Sequence, residues 1–410
     1  MVSLEFASSL IGADEFRERR SEARRRGNPA WLWPEVAVSA WAEASSRIAA
    51  SISAILAGQP ATLACGDPRA LSIACYTAGV GPLLGWWYEK GLLSAAPEIG
   101  SLLSLHLDHA RARQKKMEAQ CLLVLAALEA NAIPVVVLKG GDTANRYFPD
   151  PATRPASDFD VLVPKKLASR AEAVLAEMGL RNHGRQARES SWTWPDATGV
   201  PRSVWLVHAD DPWSVDLHWS LDFAASPGAP IIRLDAADPF KGNERWRLNP
   251  SAHALSQPLL LLHLAVHASG GLHSLSMLRM VEIVLVVRQD GSKGILSWDD
   301  FITLARRTNG LGPAYPALRM SEQLAPGTIP EDVLKHCAGA APTRARTVLA
   351  KLCPGNAQRI ERASIAEHFM WVSGASGWFR QLRSDLAPSG SIWSTYQARM
   401  YRLLRRRITR

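Results

Sequence analysis

One stretch decides the fold of this chain: VVVLKGGDTANRYFPDPATRPASDFDVLVP, residues 135–164. It starts as a short β-branched run that ends in glycines, which is typical of a buried strand. DTANRYF predicts a short helix, a proline-rich loop follows, and DFDVLV predicts a second strand. Alternate side chains of a strand share a face, so we expect Asp158 and Asp160 to point one way and the neighbouring apolar residues the other.

The residues that follow extend this stretch into a small α+β domain. KKLASRAEAVLAEMGL, residues 165–180, predicts an amphipathic helix that ends at Gly179. SVWLVH at 203–208 and WSVDLHWSL at 213–221 predict two strands that are joined by a tight Asp-Pro turn. The pattern predicts a small mixed β-sheet with helices, and we assign it to residues 133–250.

The two flanks of this domain have helical periodicity. Residues 36–56 and 102–130 carry apolar side chains at three- and four-residue spacing. Three later segments repeat that spacing: PLLLLHLAVHA, MLRMVEIVLVVRQ and WDDFITLARRT. We therefore predict an N-terminal helical region over 1–132 and a C-terminal helical domain over 251–373. Residues 374–410 are predicted to be a Ser- and Gly-rich loop followed by a basic tail.

Composition and charge narrow the class of protein. The chain has 410 residues, of which 47% are hydrophobic and 21% charged, as in globular proteins of more than one domain. The net charge is +9, and arginines concentrate at Arg17–Arg26 and Arg399–Arg410. Solvated termini are one interpretation of these clusters. A surface that faces tRNA, DNA, an acidic peptide or anionic lipid is the other.

Cysteines and apolar runs indicate the cellular compartment of the chain. The five cysteines are odd in number and form no CxxC pair, which favours reduced thiols in the cytoplasm and argues against structural zinc. The N-terminus has no basic region followed by a long apolar stretch, so no signal peptide is expected. The longest apolar runs, near 259–266 and 281–287, are too short for a transmembrane segment.

Two aspartates on one face of a strand favour a metal site. Like charges that lie close together raise each other's pKa unless a cation lies between them. Hard cations such as Mg²⁺ take carboxylate oxygens and keep positions open for phosphate. A lone pair of this kind is more often a solvated strand edge. Here Asp216, which shares a strand face with His218, supplies a third carboxylate of the kind that two-metal phosphoryl chemistry needs.

Basic residues close to the pair fit a phosphate. Lys139-Gly140-Gly141 ends a strand and opens a helix, where free N–H groups and a lysine can hold phosphate, although a plain turn has the same pattern. Arg154 lies four residues before Asp158. It either meets a phosphate or forms a salt bridge in its loop.

Other polar residues of the helical flank have simpler interpretations. His263 and His267 are four residues apart on a predicted helix, and His273 follows. The glutamate of a zincin is missing, so we expect core or groove histidines. Arg279 and Glu282, three residues apart on the next helix, are expected to pair.

Taken in order, these motifs resemble the uncharacterised nucleotidyltransferase family, which is related to the DNA polymerase β superfold. The resemblance is strongest over about 133–222 and extends through the flanking helices from about 81 to 330. Asp142 stands where the wider superfold has Ser, and sixteen residues separate Gly141 from Asp158, a longer gap than usual. The matching motifs are Leu138-Lys139-Gly140, Arg154-Pro155, Asp158-Phe159-Asp160-Val161-Leu162-Val163 and Asp216-Leu217-His218.

The resemblance implies an Mg²⁺-dependent transferase, with Mn²⁺ as the alternative ion. Such an enzyme moves an NMP from an NTP to a hydroxyl or similar acceptor and releases pyrophosphate. His218 is expected to orient Asp216 or to pack, rather than to act as a base. The implied residues are, for catalysis and metal, Asp158, Asp160 and Asp216; for the nucleotide, Lys139, Gly140, Gly141 and Arg154; and for an acceptor pocket, His218 and His267.

Three functions stay open from the sequence. The acceptor is a small molecule, a peptide or a protein, with ribosomal peptides among the candidates. Alternatively, the enzyme is toxin-like and acts on RNA or tRNA through its basic ends, which a strong salt dependence of RNA binding would identify. In the third function the chain is a catalytically silent module that only holds nucleotide, and its function would survive the loss of Asp160.

Overall fold

The computed structural model describes residues 4–197, 199–270, 275–358, 360, 367 and 369–386. The predictions that concern His273 and the basic tail after residue 386 lie outside the described residues.

The N-terminal part is helical, as predicted. The segments expected near 36–56 and 102–130 form α3 and α6, and two short strands between them pair in parallel. α6 is 34 residues long and connects this part to the sheet. The elements are α1 (Glu5–Ser8), α2 (Ala13–Arg26), α3 (Val38–Leu56), β1 (Ala61–Leu63), α4 (Pro68–Ala78), α5 (Gly81–Glu89), β2 (Leu93–Ala95) and α6 (Pro97–Ala130).

A seven-stranded mixed sheet contains the predicted strand motifs. Its strand order is β10-β11-β3-β4-β7-β6-β5. Helix α7 connects β3 to the loop before β4, and helix α8 follows β4. The elements are β3 (Val136–Val137), α7 (Lys139–Tyr147), β4 (Asp158–Leu162), α8 (Ala168–Glu177), β5 (Arg181–Arg185), β6 (Glu189–Thr193), β7 (Ser214–His218), β8 (Phe223–Ala224), β9 (Ile231–Ile232), β10 (Glu244–Arg245) and β11 (His253–Ala254), with β8 and β9 paired in a sheet of their own.

The register of the two central strands sets the site. β4 and β7 run parallel, with Asp160 opposite Asp216 and Leu162 opposite His218. Because side chains alternate along a strand, the polar residues of both strands share one face. The opposite face is buried against α6 and α8 and confirms the predicted alternation; its residues include Phe159, Val161, Val163, Val215, Leu217 and Trp219.

The predicted hairpin that included residues 203–208 is wrong. The antiparallel partner of β7 is β6, and 203–208 contains no strand. Val204 and Trp205 are buried in the helical core instead. The Nε1 of Trp33 donates a hydrogen bond to the carbonyl of Val204 at 2.6 Å, and the Oγ of Ser72 donates to that of Trp205 at 2.9 Å. A short apolar run has the same pattern whether it joins a sheet or packs irregularly on helices.

The C-terminal part is helical as predicted, with one correction. Residues 374–386 form helix α16 (Gly374–Leu386) rather than a loop. Gly374, Ser376 and Gly377 occupy its first turn and Ser384 lies near its end, and the ring of Trp378 stacks on Phe369 with centroids 4.6 Å apart. The other helices are α9 (Leu259–Ser269), α10 (Met277–Ser292), α11 (Trp298–Arg307), α12 (Leu311–Leu324), α13 (Glu331–Ala340), α14 (Thr343–Leu349) and α15 (Pro354–Ala357).

Two hydrophobic clusters hold these elements together. The larger one joins helices from both flanks and contains, for example, Leu71 and Leu103 together with Leu261 and Met280. The smaller one lies between the sheet, α8 and the C-terminal half of α6. The α+β architecture, a mixed sheet between two helical flanks, is confirmed. Its division at residues 132 and 250 stays a prediction, and β11 extends the sheet beyond the second boundary.

Across the described ranges, no helix combines the length and apolar character that a membrane crossing requires.

Candidate active site

Three aspartates meet on the polar face of the sheet. Asp158 and Asp160 are the first and third residues of β4, and Asp216 is the third residue of β7. One carboxylate oxygen from each lies within 4.8 Å of the other two. The parallel register therefore brings together the three carboxylates that the sequence placed on two strands.

Asp160 is the most buried member of this triad and is held by two basic groups. The Nζ of Lys139 lies 2.7 Å from its Oδ1, and the Nε2 of His218 lies 2.8 Å from the same oxygen. Burial acts to raise the pKa of Asp160, but Lys139 and His218 outweigh it and hold the pKa well below its usual range. Asp160 is therefore a carboxylate, and both contacts leave its Oδ2 available.

The other two carboxyls lack comparable support. Burial and then repulsion by Asp160 raise the pKa of Asp158 to about 6. The same two causes raise the pKa of Asp216, against hydrogen bonds from Ser191 and Ser214. The Oδ1 of Asp216 is buried and accepts no hydrogen bond from the described part of the chain.

These properties fit a hard divalent cation. A buried oxygen without a donor and carboxyls that repel each other are both relieved by a positive ion between them. The ligand atoms are all carboxylate oxygens, which Mg²⁺ and Mn²⁺ prefer over softer metals. The residues present therefore suit the ion that the sequence suggested.

Lys139 reaches the triad from an unusual backbone position. It is the first residue of α7 and has a φ of +45°, a conformation that a non-glycine residue rarely adopts. This conformation follows β3 directly and precedes two glycines that pack closely. A Cβ on Gly141 would lie 2.8 Å from a methyl of Val137 and 3.0 Å from the ring of Phe159, so glycine lets α7 approach the sheet.

Arg154 is committed to an ion pair. Its Nε and Nη2 donate to the two carboxylate oxygens of Glu282 on α10 at 2.9 and 3.2 Å. The hydroxyl of Thr143 donates to the same carboxylate. Of the two interpretations of Arg154, the salt bridge is therefore the one found, although its partner is distant in sequence. The expected pair of Arg279 with Glu282 is wrong, because Arg154 occupies that carboxylate.

The imidazole of His218 bridges two carboxylates. Its Nε2 contacts Asp160, and its Nδ1 lies 3.0 Å from Oε2 of Glu189. Burial acts to lower the pKa of His218, but its hydrogen bonds to Asp160 and Glu189 outweigh this and raise it. We expected His218 to orient Asp216 or to pack; the ring is buried, and its acidic partner within the triad is Asp160. Sequence reasoning missed Glu189 because β6 is polar; the alternation of Ser190 and Trp192 with polar neighbours was the available signal.

The two histidines of α9 lie close enough to the triad for the charges of Lys139 and Asp160 to act on them. The rings of His263 and His267 have centroids 6.0 Å apart. Burial, followed by the nearby charge of Lys139, lowers the pKa of His263 to about 3 and that of His267 well below its usual value. Both rings are therefore neutral near pH 7. The Nδ1 of His263 has no hydrogen-bond partner in the described residues.

Comparison with known proteins agrees with these motifs. The profile of a protein family described as "Uncharacterised nucleotidyltransferase" matches residues 67–326, which is more than half of the chain. The matched region contains the aspartate triad, Lys139, Arg154 and Glu282. No curated protein and no solved structure matched the chain. The chain belongs to the uncharacterised nucleotidyltransferase family.

Proposed function

We propose that the chain is a metal-dependent nucleotidyltransferase that transfers an NMP from an NTP to an acceptor and releases pyrophosphate. Family membership supports nucleotidyl transfer in general. The convergence of Asp158, Asp160 and Asp216 carries the proposal of metal dependence. The acceptor is a hydroxyl or similar group on a small molecule, a peptide or a protein, and the five unpaired cysteines favour the cytoplasm as the place of action.

In this proposal the three aspartates hold Mg²⁺ or Mn²⁺. When bound, the ion neutralises phosphate charge and polarises the phosphorus that is attacked. Lys139 and His218 keep Asp160 ionised, so this ligand is ready at neutral pH. The Oδ1 of Asp216 has no hydrogen-bond partner in the described residues, and burial raises the pKa of this carboxyl above that of an ordinary aspartate. It would accept the proton of the attacking hydroxyl.

The first turn of α7 is the proposed phosphate site. Its backbone N–H groups have no partners inside the helix, and the helix dipole favours an anion there. Lys139 adds a full positive charge at that end. Gly140 and Gly141 allow this turn to pack closely. Arg154 lies against Gly140 and is held there by its ion pair with Glu282.

The residues proposed for the acceptor side are His218 and His267. Neutral His267 on α9 can accept or donate a hydrogen bond without adding charge. Its place near Lys139 and Asp160 supports a contact with the acceptor group at the point of transfer.

Within the described residues, which do not include the second arginine cluster at Arg399–Arg410, the structure offers little support for RNA as the acceptor. The N-terminal arginine cluster on α2 is largely neutralised by its own neighbours. Arg19 pairs with Glu15 and Glu35, and Glu22 holds two further arginines. These acidic partners reduce the net positive charge that α2 presents to a phosphate backbone.

Nucleotide binding tests the proposal directly. Calorimetric titrations with ATP, GTP, CTP and UTP, each with and without Mg²⁺, would compare wild type with Asp160→Asn. Asp299→Asn, an exposed aspartate on α11, is the matched control. We expect Mg²⁺-dependent binding of at least one NTP, retained in the control and weakened at least about tenfold in Asp160→Asn.

Two results would count against the proposal. A folded wild type that binds no NTP in either condition would remove the enzymatic interpretation. Binding that is unchanged in Asp160→Asn would show that the triad does not hold the nucleotide's metal. Pyrophosphate release in the presence of candidate acceptors then separates a transferase from a module that only binds.

A further inference from the structure

Within the described residues Arg279 has no carboxylate partner, unlike Lys139 and Arg154, the two basic residues that the sequence assigned to the nucleotide. Lys139 pairs with Asp160, and Arg154 pairs with Glu282. Arg279, on α10, makes one long hydrogen bond, from Nη1 to the carbonyl of His267 at 3.4 Å. An ion pair requires a carboxylate oxygen within 4.0 Å of a guanidinium nitrogen. In the described ranges, no carboxylate lies that close to the guanidinium of Arg279.

The position of Arg279 places it beside the proposed phosphate site. It precedes Glu282 by three residues and therefore lies one turn towards the start of α10, on the same helix face. Glu282 holds Arg154, whose Nη1 is 2.1 Å from where a Cβ on Gly140 would be. The face of α10 that carries Arg279 is thus packed against the first turn of α7.

The electrostatic surroundings of Arg279 are consistent with this position. Burial and then repulsion by Arg154 lower its pKa, while Glu282, Asp158 and Asp160 act in the opposite direction. A guanidinium nevertheless stays protonated, because its ordinary pKa is above 12. The fold therefore maintains a partly buried positive charge that forms no ion pair with a side chain in the described part of the chain.

A polyphosphate is the ligand that best satisfies such a charge. A guanidinium donates two parallel hydrogen bonds to phosphate oxygens, and it keeps three further donors. Lys139 and Arg279 both act on the pKa of His267, and Arg279 contacts the carbonyl of that residue, so a ligand with several adjacent negative charges would fit between them. An acceptor with a single anionic group would leave part of this positive surface without a partner.

We infer that Arg279 binds the triphosphate of the nucleotide and serves as the phosphate-contacting arginine, the role that the sequence motif gave to Arg154. This inference rests on the proposed function. It assigns Arg154 to supporting the wall of the site and Arg279 to touching the ligand.

The test is a binding experiment with and without a base on the ligand. Wild type and Arg279→Gln would be titrated with the NTP that wild type binds best and with inorganic tripolyphosphate, both with Mg²⁺. Arg288→Gln is the matched control, because Arg288 lies on the same helix and bonds to Thr328 and the carbonyl of Leu56. We expect Arg279→Gln to weaken both ligands about 10- to 100-fold and the control to bind like wild type.

Arg279→Lys keeps the charge and removes the paired hydrogen bonds. We expect it to bind both ligands several-fold more weakly than wild type and more tightly than Arg279→Gln. If Arg279→Gln does not fold, as judged by circular dichroism, the lysine variant provides the test. Binding by Arg279→Lys within about twofold of wild type would then overturn the inference.

The other outcomes separate this inference from the proposed function. If Asp160→Asn abolishes NTP binding but Arg279→Gln leaves it unchanged, the inference is wrong and the proposed function stands. If Arg279→Gln loses NTP binding but binds tripolyphosphate normally, Arg279 contacts the base or the sugar, and the inference is overturned. If Arg279→Gln binds NTP normally but has lost turnover, Arg279 contacts the acceptor, and the inference is again overturned. A wild type that binds neither ligand overturns both.

Discussion

Replacing Gly140 with alanine would measure how rigidly Arg154 is held. An alanine Cβ at this position would lie 2.1 Å from Nη1 of Arg154 and 2.6 Å from its Cζ. A long arginine side chain usually moves away from such a contact. Here the side chains of Arg154 and Glu282 are 11% and 3% exposed and share two hydrogen bonds, so the guanidinium cannot move without breaking the pair.

Two effects of opposite sign decide the result. Alanine is favoured over glycine inside a helix by about 0.5–1 kcal/mol. Displacing one partner of a buried ion pair costs about 3–5 kcal/mol, because the other charge is left without compensation. We therefore expect Gly140→Ala to lower the free energy of unfolding by about 2–4 kcal/mol.

Urea unfolding, followed by circular dichroism, measures this difference. Gly339→Ala is the matched control, because Gly339 lies in helix α13 and an added Cβ would meet nothing within 4 Å. The control is expected to gain up to about 1 kcal/mol. In an Arg154→Met background the clash partner is gone, and Gly140→Ala is expected to cost little or to stabilise.

A variant Gly140→Ala that is as stable as wild type would refute this reasoning, since helix propensity would then outweigh the ion pair. A loss of stability that persists in the Arg154→Met background would also refute it. That result would show that the added Cβ clashes with a neighbour of Gly140 other than Arg154.

Two buried titratable groups outside the triad give predictions about pH. Burial raises the pKa of Asp142 from 3.8 to about 7 despite Arg146, so its contribution to stability is present at low pH and is lost as pH rises through about 7. Asp142→Asn should therefore gain stability in urea relative to wild type between about pH 4 and pH 8; parallel profiles would contradict this. Burial lowers the pKa of His106, which bonds to Ser72, from 6.5 to about 3, so its contribution is complete above 6.5 and is lost as pH falls towards 3. His106→Asn should flatten the acid side of the stability profile by up to about 1.4 kcal/mol per pH unit, and an unchanged slope would argue against a neutral buried His106.

The part of the site that follows from local periodicity was predictable. Side chains alternate along a strand with a period of two, so DFDVLV and VDLHW each specified a polar and an apolar face. Neighbouring strands with matched polar faces then bring Asp158, Asp160 and Asp216 together. The helices of both flanks were predictable for a similar reason, because their apolar spacing extends over many turns.

The rest depends on contacts between residues that are far apart in the chain. Arg154 and Glu282 are 128 residues apart, and nothing local to either names the other. Glu189 lies on a short polar strand whose pattern is weak, so its contact with His218 was not foreseen. Trp205 shows the reverse case, since a strand-like pattern there packs irregularly in the helical core.

The shared helical core has a consequence for how the seven-stranded sheet can be exchanged between proteins. Helices from before and after the sheet form one cluster, so the sheet is inserted in a helical host that the chain leaves after α6 and re-enters at α9. A sheet inserted in this way, as a cassette, could be exchanged by recombination at two positions in the chain, and the helical core of the host would stay in one piece. Arg154 restricts such grafts, because any host that receives the cassette must offer a carboxylate where α10 carries Glu282.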